Sequence, residues 1–332
     1  MRSPSKGAPA APASLWPRLV SAALAAAYFS AIPALVRPHW DGFVAALGGF
    51  TGLATLGATG VHGATLLVGN LFFLCLYTLR PGCSERRRSS PRPWPWLAGG
   101  AAARELPGLV RLAVGLTVLN NALALAAAYA NVPLLRARGM RIWEGEGWPT
   151  PFELFWQTIV CVLSEDATFY LSHRLLHSHP ALYVRVHKLH HRWHDSLSIA
   201  AEATHPLEFL LGNVLPVLVG PLALGPRIHA YTLLAWISWR IAETVDGHSG
   251  IELGIHPVRY LPLASSSTAH ELHHQINTGN YGSCLKIWDD MMGTALADRS
   301  AAGASNGPQE AAAKGKPEPE GARRRRGARL DE

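Results

Sequence analysis

Six apolar runs constrain this chain more than any other feature of its sequence: residues 19–36, 42–79, 106–130, 152–171, 207–224 and 229–244. Segments of this kind belong in a lipid bilayer, where the backbone finds no water and must satisfy its own hydrogen bonds, so each is expected to be helical. The expected fold class is therefore all-α, a multi-pass membrane helical bundle. Residues 106–130 are the cleanest span, interrupted only by Arg111, Asn120 and Asn121, and 152–171 is the second. Residues 19–36 form a short run carrying Pro33, readable as a signal peptide or an anchor. Retention in the membrane is expected, because no small-residue cleavage site follows it. Residues 42–79 are too long for one span and just long enough for two short ones, the better half being 64–79.

Composition agrees: 48% of residues are hydrophobic and 16% charged, an apolar balance for a soluble protein. The net charge of +7 gathers at Arg86, Arg87 and Arg88 and at residues 323–326. No basic stretch is interleaved with exposed aromatics and no reading module is present, which excludes a nucleic-acid partner. The Arg-rich loop 80–104, with Trp94 and Trp96, is expected on the cytosolic side, although Arg136, Arg138 and Arg141 in the next connection pull the other way. Cys75, Cys83, Cys161 and Cys284 have neither metal nor disulfide spacing. Residues 1–14 and the basic tail 296–332 lack the composition for a core and are expected to be disordered. Between them lie an N-terminal membrane region, 15–149, and a second domain, 150–295.

That second domain holds the chemistry. Fourteen of sixteen histidines fall between residues 173 and 274. Three boxes stand out: His173 and His177; His187, His190 and His191; and His270, His273 and His274. Spacings of three and four place side chains on one helix face, so each box is expected to aim at a single point. Neutral imidazole is the usual nitrogen ligand of transition metals. Eight imidazoles exceed the three or four that one structural or catalytic zinc takes, which implies two metals. A nitrogen-rich, thiolate-free set with few carboxylates is compatible with iron. The boxes must share one site, so the chain between the second and third has to cross the bilayer an even number of times. Residues 207–224 and 229–244, turned at Gly225-Pro226, are expected to form that hairpin. Asp166, seven residues before His173, is expected on the same face of a helix that leaves the bilayer and delivers the first box.

Residues 150–295 resemble the fatty acid hydroxylase and sterol desaturase superfamily of membrane di-iron oxygenases. The boxes carry the resemblance, with Glu165-Asp166, His205-Pro206-Leu207-Glu208, Glu243-Thr244-Val245, His248-Ser249-Gly250, Asn280-Tyr281-Gly282 and Trp288-Asp289. These segments look most like the 4-methyl sterol oxidase branch. The resemblance implies a cytosolic histidine-rich cap binding two iron ions, dioxygen as co-substrate, and a sterol or other lipid substrate drawn from membrane lipid. It also implies the endoplasmic reticulum membrane, and electrons from a cytochrome b5-type donor with a nicotinamide-dependent reductase. No dinucleotide fingerprint or haem-attachment motif is present in the chain. His248 matches the position of a further lone ligand, with His205 the other candidate. Ligating imidazoles donate their second N–H to an oxygen. Asp166, Glu202, Glu208, Glu243, Asp246 and Glu271 are candidates, with Asp166 and Glu271 foremost, acting from behind the ligands. Arg174, Arg185, Lys188 and Arg192 are expected to complement an acidic carrier. Hydroxylation or desaturation of another sterol position or of a fatty acyl lipid stays open, as does a metal-binding or transport protein.

Overall fold

The structure, a computed structural model, describes residues 15–296; the expectations for 1–14 and for the tail beyond 296 lie outside them. No β-strand occurs among the described residues, only three isolated bridges, and the all-α membrane architecture is as expected. Four helices are long and apolar enough to cross a bilayer: α1 (Trp16–Ala46), α2 (Gly49–Leu79), α3 (Gly100–Ala137) and, after a helix α4 (Pro151–Ser178), α5 (Pro206–Arg227). Behind α5 come α6 (Ala230–Gly247) and α7 (Ser267–Ile276).

Residues 42–79 do not make two spans. Gly48 and Gly49, at φ of +83° and +75°, break the helix there, so residues up to 46 extend α1 past Pro33 while 49–79 form one continuous span. Glycine is the residue for which such a left-handed break costs least. Pro33 and Pro38 of α1 sit at its internal joints, beside a π-turn at Ala27–Ala31 and a 3-10 turn at Arg37–His39 that relieve the missing donors.

The clean start of α4 is written locally. Thr150 Oγ1 accepts from the Glu153 amide at 3.2 Å and Glu153 Oε2 accepts from the Thr150 amide at 2.9 Å, a capping box with Pro151 in the first turn. The helix then runs through Glu165 and Asp166 to His173 and His177, as the sequence suggested. Its place differs from expectation: with Glu165, Asp166 and Gln157 buried, it is not among the helices apolar enough to span. It packs on α5, where an added Cβ on Gly220 would stand 2.7 Å from Cys161 Cα. The expected return leg, α6, is likewise a buried central helix, with Tyr231, Leu233, Trp236, Arg240, Glu243 and Val245 all covered.

One core joins both halves of the chain. Trp40, Leu53 and Val132 from before residue 150 pack in the same cluster as Leu154, Cys161, Leu224 and Trp236 from after it. The N-terminal spans thus brace the helices that carry the histidines.

Candidate metal centre

The nine histidines named from sequence converge, but not box by box. His173, His177, His187, His191 and His273 form one group; His190, His248, His270 and His274 form another, and within each group the ligand atoms lie within 4.8 Å of one another. Each His-x-x-His-His box is therefore divided. The expectation that a box aims at one point fails because consecutive side chains leave the backbone in different directions; on the α-helix of the third box, residues four apart share a face while the residue between them points elsewhere. His187 and His191, on a 3-10 segment from His187 to Arg192, serve the first group, and His190 serves the second. On α7 the roles reverse, His270 and His274 serving the second and His273 the first.

In the first group, Nε2 of His187 lies 2.8 Å from that of His177, 3.0 Å from that of His191 and 3.2 Å from that of His173. The Nε2 of His273 is buried with no partner, its ring 4.7 Å from that of His173. In the second, Nε2 of His248 lies 2.9 Å from that of His270 and 3.3 Å from that of His190, and those of His274 and His270 are 3.1 Å apart.

The far side of several rings fixes their tautomers. Nδ1–H of His173 donates to the Tyr281 carbonyl at 2.9 Å, that of His273 to the Gly279 carbonyl at 2.6 Å, and that of His248 to the Thr244 carbonyl at 2.8 Å. Their Nε2 atoms therefore carry lone pairs pointing inward. Burial, reinforced for several rings by their neighbours, holds the imidazoles neutral: His173 and His248 fall to about 4 and His191 to about 3, and His190, His270, His273 and His274 lie well below the usual imidazole range. Converging lone pairs without protons call for a cation. Two nitrogens at right angles on a metal with bonds of about 2.1 Å stand about 3.0 Å apart, against about 3.4 Å at tetrahedral angles. The Nε2 separations above lie close to these values, so each group can close on one metal ion.

A pH dependence follows. An unfolded chain titrates these histidines near 6.5 and the folded one far lower, so below about 6.5 the unfolded state binds more protons. Metal-free protein is expected to lose stability progressively between pH 6.5 and 4 and to be most stable above that window. Thermal unfolding in detergent at stepped pH measures it; a flat profile would contradict the buried, neutral imidazoles.

The two carboxylates ranked first by sequence do not touch a histidine. Asp166 Oδ1 accepts from the amides of Ser283, Cys284 and Leu285 at 3.0, 2.9 and 3.0 Å, and Glu271 Oε2 accepts from the Ser196 amide at 2.9 Å. Both anchor segments that flank the boxes. The carboxylate beside a ring is that of Glu208, whose Oε1 lies 2.9 Å from His187 Nδ1. Its signal was the His205-Pro206-Leu207-Glu208 segment, although His205 itself only caps α5, accepting from the Leu207 amide. The carbonyls of Gly279 and Tyr281 were invisible to residue-type reasoning. They are presented by a turn in which Gly279 and Asn280 hold φ of +72° and +50°, closed by Asp289 Oδ1 and Oδ2 accepting from the Tyr281 and Gly282 amides at 2.8 and 2.7 Å. Arg174, Arg185, Lys188 and Arg192 are all exposed around the boxes.

An all-helical membrane bundle carrying two buried imidazole groups defines a class, and comparison with known proteins agrees. Residues 158–294 match the fatty acid hydroxylase family. The chain is also similar to methylsterol monooxygenases. Methylsterol monooxygenase 1 of Rattus norvegicus is 37% identical over 134 residues, 40% of this chain and 44% of the rat protein. That of Gallus gallus is 34% identical over 169 residues, 50% of this chain and 52% of the chicken protein. A very-long-chain aldehyde decarbonylase of Oryza sativa is 37% identical over 141 residues, 42% of this chain and 52% of its own. The chain spans about half the length of the curated relatives it matches. No solved structure matches it.

Proposed function

We propose that this protein is a non-haem di-iron monooxygenase of the endoplasmic reticulum membrane, its centre facing the cytosol, that oxidises an unactivated C–H bond of a sterol, with a 4-methyl group as the target. The observation that carries the reading is the meeting of two buried, all-imidazole groups with a bundle of membrane-length helices. The similarity to methylsterol monooxygenases points it at sterols.

His173, His177, His187, His191 and His273 would hold one iron, and His190, His248, His270 and His274 the other. Once loaded, such a centre supplies reduction of dioxygen and removal of hydrogen from carbon. The chain's own residues do the rest. Carbonyls of Gly279, Tyr281 and Thr244 lock three rings with Nε2 inward, with the Glu208 carboxylate beside His187 Nδ1, and loss of such supports typically costs about 10–100-fold in metal affinity or activity. Asp166 and Glu271 act one step further out by holding the loops that present those groups. A cavity lined by Phe169, His187, His190, Thr204, His248 and Arg240 receives the reacting carbon. Arg240 brings no free charge to it, because Nε donates to Glu165 Oε1 at 2.6 Å and Nη1 to Glu243 Oε2 at 3.1 Å. Residues 15–149 serve as the membrane region and 150–295 as the oxygenase domain. Electrons arrive from an acidic cytochrome b5-type carrier, served by a nicotinamide-dependent reductase, at the exposed face of Arg174, Arg185, Lys188 and Arg192.

A second reading, oxidation of another sterol position or of a fatty acyl lipid, draws on the similarity to the rice aldehyde decarbonylase. A metal transporter is disfavoured, since its ligands would lie near mid-membrane, whereas all nine of these histidines sit outside the four spans. Two measurements test the proposal. Protein grown on iron-57 is expected to hold close to two coupled irons per chain by elemental analysis and Mössbauer spectroscopy. Cells lacking their own 4-methyl oxidase are expected to clear 4-methyl sterols when the chain is expressed. A single zinc, or unchanged 4-methyl sterols beside full iron loading, would remove the metal or the substrate assignment respectively.

A further inference from the structure

Two cavities meet at Asn213 and Arg240. One is the histidine-lined cavity; the other runs into the bundle between Ala58, Leu135, Val217, Leu233 and Ile241. Of the two residues common to both, Arg240 is fully engaged by carboxylates. Asn213 is not: its side chain makes no hydrogen bond among the described residues.

That freedom is unusual for an asparagine in this bundle. Asn70, Asn121 and Asn131 each return their amide to the carbonyl four residues back, at 2.9, 2.9 and 2.8 Å, which is how a helix quiets a polar group in apolar surroundings. Asn213 sits instead in a π-turn, Leu210–Val214, where the widened register displaces that carbonyl. Such turns recur at functional sites. The turn begins two residues after Glu208, so the element that supports His187 also aims Asn213 at the seam between the cavities. A carboxamide both donates and accepts, as a hydroxyl does. Polar groups in spans are costly and mark substrate paths.

We infer that Asn213 determines specificity by binding the hydroxyl of a lipid alcohol beside the carbon to be oxidised, while the apolar cavity takes the adjoining hydrocarbon. The inference rests on the lipid-oxidising reading and adds to it the chemical feature the site selects. In a 4-methyl sterol the 3-hydroxyl stands on the neighbouring carbon, so one amide at the seam both recognises the head and sets the methyl towards the imidazoles. Thr59 offers a competing polar group, since its Oγ1 is buried without a partner in the same apolar cavity, but it does not line the histidine cavity.

The test is binding of a fluorescent sterol with a free 3-hydroxyl, and of its 3-O-methyl ether, to iron-loaded full-length protein in detergent, read by energy transfer from tryptophan. Wild type is expected to prefer the free alcohol at least tenfold. Asn213→Leu is expected to bind both equally with unchanged iron content, and Thr59→Val to keep the preference. Asn213→Ala decides the matter if the leucine variant loses iron. No preference in wild type, a preference surviving in the Asn213 variants, or its collapse in Thr59→Val would each overturn the assignment. If the preference depends on Asn213 but 4-methyl sterols are not oxidised, the substrate reading fails and the alcohol site stands; oxidation with an Asn213-independent preference gives the reverse.

Discussion

Replacing His273 with alanine is expected to strip metal from both groups, not from one. Its Nε2 is buried without a partner in the first group, and its Nδ1–H ties α7 to the Gly279 carbonyl. The same short helix carries His270 and His274 of the second group, so freeing it loosens two further donors. Loss of a partner behind a ligand already costs about 10–100-fold, and loss of the donor itself is expected to lower turnover by more than 100-fold. Iron per chain should fall from about two to well below one. His205→Ala provides the contrast, because His205 stands outside both groups and only caps α5; it should retain both irons. Full iron loading in the His273 variant would sink the divided-box arrangement.

Asp166→Ala is the second large effect, and it acts on stability. One buried oxygen accepts three consecutive backbone amides, those of Ser283, Cys284 and Leu285. Without it three donors lose their partner in a site closed to water, at about 1–3 kcal/mol for each group left unsatisfied. Partial relaxation should bring the total to roughly 3–5 kcal/mol. The loop so released is continuous with the turn that offers carbonyls to His273 and His173, so metal affinity should fall with stability. Asp166→Asn keeps an acceptor oxygen and should recover about half the loss. Unfolding temperature and iron content, followed together across both variants, check the argument; an alanine variant as stable as wild type would refute it.

What the sequence determined by itself is what depends on residue type and short spacing. Apolar runs in a solvent without hydrogen bonds dictate helices, and the all-helical membrane fold follows from them. Imidazoles at repeated short spacing announce a nitrogen-rich cluster, and all nine named residues fall in the two imidazole groups. The Thr150 to Glu153 capping box marks the start of the helix that delivers the first pair.

Tertiary structure decided the rest, because it depends on which distant groups share a space. Spacing fixes the angle between neighbouring side chains but not where each direction leads, so only packing shows that His190 and His273 leave their own boxes for the other group. Asp166 lies on the expected helix, yet its carboxylate meets a loop more than a hundred residues away before it can meet a histidine. The ring supports are largely backbone carbonyls, which every residue carries and no residue type advertises. The packing of α4 against α6 likewise depends on buried partners for Glu165 and Glu243, which Arg240 supplies from a single turn of α6.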